Sequence, residues 1–220
     1  MAQSFLDALT EEEAADLRAA GRQRSYGAAV RIVHEDDDAG PVVVLLRGRA
    51  KVSTTGPGGR EAVIALRGPG DLIGELSAID GAPRSASVTT LEPVEALLLP
   101  GSGFAALLER RPRIALVILR MVAARLREAG AGTTQLGTQD VVGRVSQRVA
   151  ELADRFGEPG EGRIEIALPL SQEELAAWAG ASREAVSKAL HLLRSLGIVE
   201  TGRRKITVLD IDALRRRAAV

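Results

Sequence analysis

The chain reads as an α+β protein: a barrel or jelly roll of short β-strands, then a long helix, then two short helices closed by a β-hairpin. Three observations predict this. Between about Gly27 and Pro100, short apolar runs alternate with Gly, Pro and Asp, the pattern of many short strands joined by turns. From Pro112 to about Ala129, apolar residues recur at helical spacing on two sides of one helix. From Ser171 onward, a capping pattern, a helical stretch, Gly180, a second helical stretch and Gly197 follow in close succession.

Taken in order, residues 4–20 form a short helix, with Thr10 as N-cap ahead of Glu11–Glu13. Val42–Leu46, Arg49–Ser53, Ala62–Leu66, Ala86–Thr90 and Val94–Leu99 are strand-sized, and Thr55–Gly59 is a turn. Helical periodicity returns at Gly103–Arg110 and, after Pro112 in a first-turn position, continues to about Ala129. One stripe is Ile114, Val117, Met121 and Ala124; a second is Leu116, Leu119, Ala123 and Leu126. Such a helix must bury both sides. Either one side covers the barrel while the other pairs with a second subunit, or the whole is a buried core helix. Gly130-Ala-Gly132 marks a break or hinge, because glycine costs about 1 kcal/mol inside a helix. Asp140–Phe156 is helical, Gly157–Arg163 a loop and Ile164–Leu168 a strand.

Composition narrows the chemistry. Cysteine is absent and only His34 and His191 offer imidazole, so thiol redox chemistry, iron–sulfur clusters, haem and a dedicated metal site are not expected. The longest apolar runs fall far short of a membrane span and no signal peptide opens the chain, so a soluble, cytoplasmic protein without membrane partners is expected. No paired carboxylates with a histidine, nucleophile motif or phosphate-cradling loop is found, so no enzyme is expected. Basic and acidic residues both number 29, yet six basic residues stand against two acidic ones between Arg183 and Lys205.

That basic segment has the form of a DNA reader. Ser171-Gln-Glu-Glu174 is a capping box opening the helix Glu173–Ala179, Gly180 supplies the turn, and Ser182 caps Arg183–Leu196. Two helices around a glycine turn match a helix-turn-helix, whose second helix meets base edges with its first residues. Those residues are Arg183, Glu184, Ser187 and Lys188; arginine can donate to guanine O6 and N7, and glutamate can accept from cytosine N4. Arg203, Arg204 and Lys205 tip a hairpin between Ile198–Thr201 and Ile206–Leu209, a wing suited to phosphates. Trp178 is expected to pack in the core. The bland alternative is a small helical domain with solvated basic residues.

Gln172–Ala176 with Ser182-Arg-Glu-Ala-Val-Ser-Lys188 strongly resembles the helix-turn-helix of the Crp/Fnr regulators, and Asp140–Arg144 resembles that family's junction ahead of it. Gly74-Glu-Leu76, followed nine residues after Glu75 by Arg84-Ser85-Ala86, resembles its phosphate-binding cassette; Gly48, Gly70 and Asp71 also match. The resemblance covers nearly the whole chain. It implies a cyclic-nucleotide-binding-type jelly-roll sensor at 1–110, a dimerisation helix and hinge at 111–139 and a winged helix-turn-helix at 140–220. Arg84 and Ser85 would hold a cyclic phosphate with nearby amides, Glu75 would accept the ribose 2′-hydroxyl, and Gly74 and Leu76 would belong to the same site. Arg183, Glu184 and Lys188 would read bases, with Ser171, Ser182 and Ser187 beside them.

Two departures stand out. Where relatives responsive to cyclic AMP carry a Thr-Ser pair for adenine, this chain has Ala129-Gly130; Thr133 and Thr134 lie one turn further on as substitutes. The segment His34–Val44 keeps acidic residues at Glu35–Asp38 but lacks the usual glycines and aromatic. The expected effector is cyclic AMP, with another cyclic nucleotide such as cyclic di-GMP next; the expected partners are a second copy of the chain, a near-palindromic double-stranded operator and RNA polymerase. The alternatives are constitutive DNA binding, a regulatory module for a partner enzyme, and a degenerate cassette in which Arg84 pairs structurally with Glu75.

Overall fold

The computed structural model describes residues 4–56, 58–59, 61–167 and 170–219, and of 131–138 the backbone alone. The chain divides into two compact units, Gln3–Arg127 and Glu128–Val220. None of its described helices is long and apolar enough to cross a membrane.

In the first unit, α1 (Glu11–Ala20) is held at its start by a full capping box between Thr10 and Glu13. Eight strands follow: β1 (Arg22–Tyr26), β2 (Arg31–Val33), β3 (Val42–Arg47), β4 (Ala50–Thr55), β5 (Glu61–Arg67), β6 (Leu72–Ile73), β7 (Ser87–Thr90) and β8 (Val94–Leu99). They form two antiparallel sheets in the orders β1-β8-β3-β6 and β2-β7-β4-β5, the two-sheet form of the jelly roll. A short helix α2 (Glu75–Asp80) interrupts the strands after β6, and α3 (Gly101–Arg110) and α4 (Pro112–Thr138) follow β8.

The uninterrupted apolar run of β3 needs two buried faces, and it has them. Val43 and Leu45 join Val33, Val88 and Ala96 between the sheets. Val42 and Val44 point the other way, against Leu17, Phe104, Leu107, Ile114, Val117 and Ile118 of the helices. The first stripe of α4 therefore begins by covering the sheet. Its second stripe is left outside: Leu116, Leu119 and Leu126 are 52%, 63% and 73% exposed. Of the break or hinge expected at Gly130–Gly132, the break is not present: α4 runs unbroken to Thr138, and the chain leaves helical geometry only at Gln139 and Asp140. Backbone hydrogen bonding within a long helix outweighs two unfavourable residues.

The second unit opens with α5 (Val141–Phe156), capped by Asp140 accepting from the Gly143 amide at 2.7 Å. The loop expected at 157–163 contains a short strand, β9 (Glu158–Gly160), paired with β10 (Arg163–Ala167). Helices α6 (Gln172–Ala179) and α7 (Arg183–Ser195) come next, then β11 (Val199–Gly202), β12 (Lys205–Val208) and α8 (Ile211–Ala218). The sheet order is β11-β12-β10-β9, so the hairpin extends a small sheet instead of standing alone. The core gathers Val145, Val149 and Leu152 of α5 with Leu175, Trp178, Val186, Leu193 and Leu214, all at most 3% exposed.

Candidate functional site

The cassette is built around a left-handed residue. Gly74 ends β6 at φ 78° and starts α2, so the chain turns sharply and presents its carbonyl to Arg84. Arg84 returns from the loop after α2 and is 5% exposed. Its Nη1 donates to Gly74 O at 2.7 Å and its Nη2 to Pro41 O at 2.8 Å. A Cβ at Gly74 would lie 2.1 Å from Nη1, so glycine is required both by dihedral and by space. Burial draws the guanidinium down from its ordinary value, while Glu75 and Asp37 act in the opposite direction. Two of its five N–H groups meet carbonyls, which fixes its plane while keeping hydrogen-bonding capacity for an anion. Ser85 follows immediately and is exposed.

Glu75 is 3% exposed, and its partner is Arg125 on α4, not Arg84. Arg125 Nη1 meets Glu75 Oε1 at 2.6 Å and Nη2 donates to Leu72 O at 3.0 Å. The alternative of a structural Arg84–Glu75 ion pair is thus replaced by a different pair. Arg125 was not among the residues the sequence singled out; its spacing of four from Val117 and Met121 puts it on the buried stripe, but not against any particular partner. Leu76 stands on the outer side of α2, 43% exposed. The side chains of Thr133 and Thr134 lie outside the described residues.

A second segment wraps the cassette. The amide of Asp36 donates to Arg84 O at 2.9 Å and the amide of Arg84 to Asp37 O at 2.8 Å. Asp36 has φ 66°, the left-handed conformation in which aspartate is one of the tolerated residues. Glu35 accepts from the Thr55 amide at 2.8 Å, and its own amide donates to Ser87 Oγ at 3.0 Å.

In the second unit the capping box at Ser171 forms as expected: Glu174 N donates to Ser171 Oγ at 3.1 Å and Ser171 N to Glu174 Oε2 at 2.8 Å. Gly180 takes φ 59°, and Ser182 caps α7 by accepting from the Ala185 amide. Arg183, Glu184, Ser187 and Lys188 are all exposed on one face of α7, while Val186, Ala189, Leu190 and Leu193 are buried on the other. Arg183 approaches Glu173 to 3.6 Å, a contact between two largely exposed side chains. Arg203 and Arg204 stand exposed at the hairpin tip, where Arg204 has φ 54°. Lys205 is held at 2.7 Å by Glu165 of β10, and that hydrogen bond holds the Glu165 carboxyl below the usual carboxylate range.

Two further arginines brace this face. Arg144 donates to Ala179 O and Gly180 O, the carbonyls of the turn, and to Gln139 O at the exit of α4. Arg148 lies 5.0 Å from the centre of the Trp178 ring and donates to Trp178 O. Trp178 is 3% exposed, in the core as expected. Among the described residues no cluster of three or more His, Asp or Glu side chains is placed to hold a metal ion.

Residues 23–111 match the cyclic nucleotide-binding domain family, and residues 143–217 match the Crp-like helix-turn-helix domain. The chain is 34% identical over 184 residues to a CRP-like cAMP-activated global transcriptional regulator of Mycobacterium tuberculosis, covering 84% of this chain and 82% of that protein. It is 33% identical over 193 residues to the cyclic AMP receptor protein of Thermus thermophilus, covering 88% and 86%. Among solved structures, FixK2 from Bradyrhizobium japonicum shares the fold, with a TM-score of 0.81 at 24% identity over 91% of this chain and 98% of that one.

Proposed function

Because this chain belongs to the Crp/Fnr family of transcription regulators, we propose that it is a homodimer that binds cyclic AMP at Arg84 and, so loaded, binds a near-palindromic operator. The observation that carries the reading is the buried, carbonyl-held guanidinium of Arg84 beside the exposed hydroxyl of Ser85. A buried cation with N–H groups to spare favours an anion that excludes water around it. The cyclic phosphate would meet Arg84, Ser85 and the amides after Gly74, and the ribose hydroxyl would meet the oxygen of Glu75 that Arg125 does not take. Relatives named for cyclic AMP make it the first effector to test.

The dimer rests on α4. Leu116, Leu119, Ala123 and Leu126 are spaced three, four and three apart, the seam of a two-stranded coiled coil. Arg183, Glu184 and Lys188 would enter the major groove, with Ser187 beside them; Ser171, Ser182, Arg203, Arg204 and, in exchange for Glu165, Lys205 would contact the backbone. RNA polymerase would be the further partner of the operator-bound dimer. One observation favours a second reading, constitutive DNA binding: Ala129-Gly130 offers no side-chain donor to a base.

Calorimetric titration with cyclic AMP, cyclic GMP and cyclic di-GMP, paired with electrophoretic shifts on genomic fragments, tests the proposal. Cyclic AMP should bind tightest and strengthen the shift. No heat from any nucleotide, with an unchanged shift, would establish the constitutive reading instead.

A further inference from the structure

We infer that the acidic segment Asp36–Asp38 is a charge filter on the cassette, admitting a nucleotide with one negative charge and turning away those with two or more. This rests on Arg84 being the phosphate anchor, as proposed above.

The segment follows Arg84 along its whole length. Asp36 and Asp37 bond its main chain on both sides, through Asp36 N to Arg84 O and Arg84 N to Asp37 O. Four residues on, Pro41 O accepts from the guanidinium, and a Cβ at Gly40 would lie 3.3 Å from Nη2. The chain from 36 to 41 is therefore one wall of the cassette, pinned at both ends to the residue that would hold the phosphate. Three consecutive carboxylates, on Asp36, Asp37 and Asp38, stand exposed on that wall. Glu35 does a different job, because its carboxylate is committed to the Thr55 amide.

Among the described residues, no ion pair neutralises these three carboxylates. Glu75 and Arg125 neutralise one another at 2.6 Å, so among the described residues Arg84, on which Asp37 acts, is the cation proposed to meet the ligand. One cation against three carboxylates binds a monoanion through short, directed hydrogen bonds while the surrounding field stays negative. A second ligand charge would meet no further cation among the described residues of the cassette, and would feel the repulsion of the wall. A repulsive element of this kind discriminates without any new attractive contact. Coulomb energies scale with ligand charge, so the wall's repulsion of a dianion is twice that of a monoanion in energy, and its factor in affinity is the square.

Cyclic AMP and 5′-AMP test this, since they share base and sugar but carry one and two charges at about pH 8, above the second phosphate ionisation near about 6. Both are titrated into the unsubstituted 220-residue chain and into Asp36→Asn/Asp37→Asn/Asp38→Asn. Asparagine tolerates the left-handed conformation at 36, and the pair Asp37→Asn/Asp38→Asn leaves that position untouched should the triple variant melt early. At low ionic strength, neutralisation should tighten cyclic AMP by about threefold and 5′-AMP by about tenfold; both gains should shrink in about 0.5 M salt, where screening acts over only a few ångströms. Equal gains for the two ligands, no gain, or gains indifferent to salt would overturn the filter. So would 5′-AMP binding to neither protein while cyclic AMP binds both, because shape would then be doing the excluding. Cyclic AMP binding to neither protein would instead overturn the nucleotide reading on which the filter rests.

Discussion

Replacing Arg84 with leucine should abolish cyclic-nucleotide binding, because a buried charge-assisted partner of a phosphate accounts for about 2–5 kcal/mol. Gly74→Ala should do nearly the same with Arg84 intact, since the added methyl would sit 2.1 Å from Nη1 and the backbone there is left-handed. Titration calorimetry on both variants, with circular dichroism to confirm folding, checks this; unchanged affinity in either would remove Arg84 as the anchor. The grouping of Gly74, Glu75 and Arg84 was legible in the sequence because it resembles a family motif whose residues lie at fixed spacing along one loop, and the structure brings Gly74 and Arg84 together. Arg125 was not, because its role depends on where a helix fifty residues away is laid against β6, and spacing alone does not supply that placement. Asp36 was hidden for a related reason: only the backbone bonds to Arg84 reveal that an acidic run lines the same wall.

Among elements, the recognition helix and the hairpin should divide specificity from affinity. Arg183→Ala should cost about 1–3 kcal/mol on the preferred operator and relax one base position, whereas Arg203→Ala/Arg204→Ala should weaken all sequences alike and lower the salt slope by about one unit per lost phosphate contact. Binding-site selection at two salt concentrations separates these outcomes. In the first unit, β4 and β5 are joined by Lys51 and Ser53 meeting Glu61 at 2.9 and 2.7 Å. Burial pushes the Glu61 carboxyl up, but these hydrogen bonds and the charges of Lys51 and Arg31 outweigh it and hold it below the usual range. A carboxylate so depressed stabilises the fold above its unfolded value of about 4 and loses that contribution as pH falls through the lower folded value. Melting temperature should therefore drop more steeply below about pH 4 in the wild type than in Glu61→Gln. Strand β1 shows what the pattern of residues does not convey: Arg-Gln-Arg-Ser-Tyr has no apolar alternation, yet it is a strand because β8 offers it a complete backbone ladder. Conversely, Gly130 and Gly132 read as a break but sit within an unbroken helix.

For the whole molecule, the proposed dimer rests on the exposed leucines of α4. Leu119→Glu places a charge in the proposed coiled-coil seam, and sedimentation should show a monomer at micromolar concentration with at least tenfold weaker operator binding. A variant that stays dimeric would move the interface off this stripe. Near-palindromic half-sites about one DNA turn apart would follow from the two-fold symmetry of the proposed dimer. Trp178 has a consequence of another kind. It is the only tryptophan in 220 residues, it belongs to the second unit, and it is 3% exposed beneath Arg148. Its emission is thus an optical probe of that unit alone, while calorimetry sees the entire chain. If the two units unfold as one cooperative body, the red shift of the indole and the heat-absorption peak will share a midpoint. If they separate, the fluorescence will mark the melting of the DNA-binding half by itself, and added cyclic AMP will raise the other transition first.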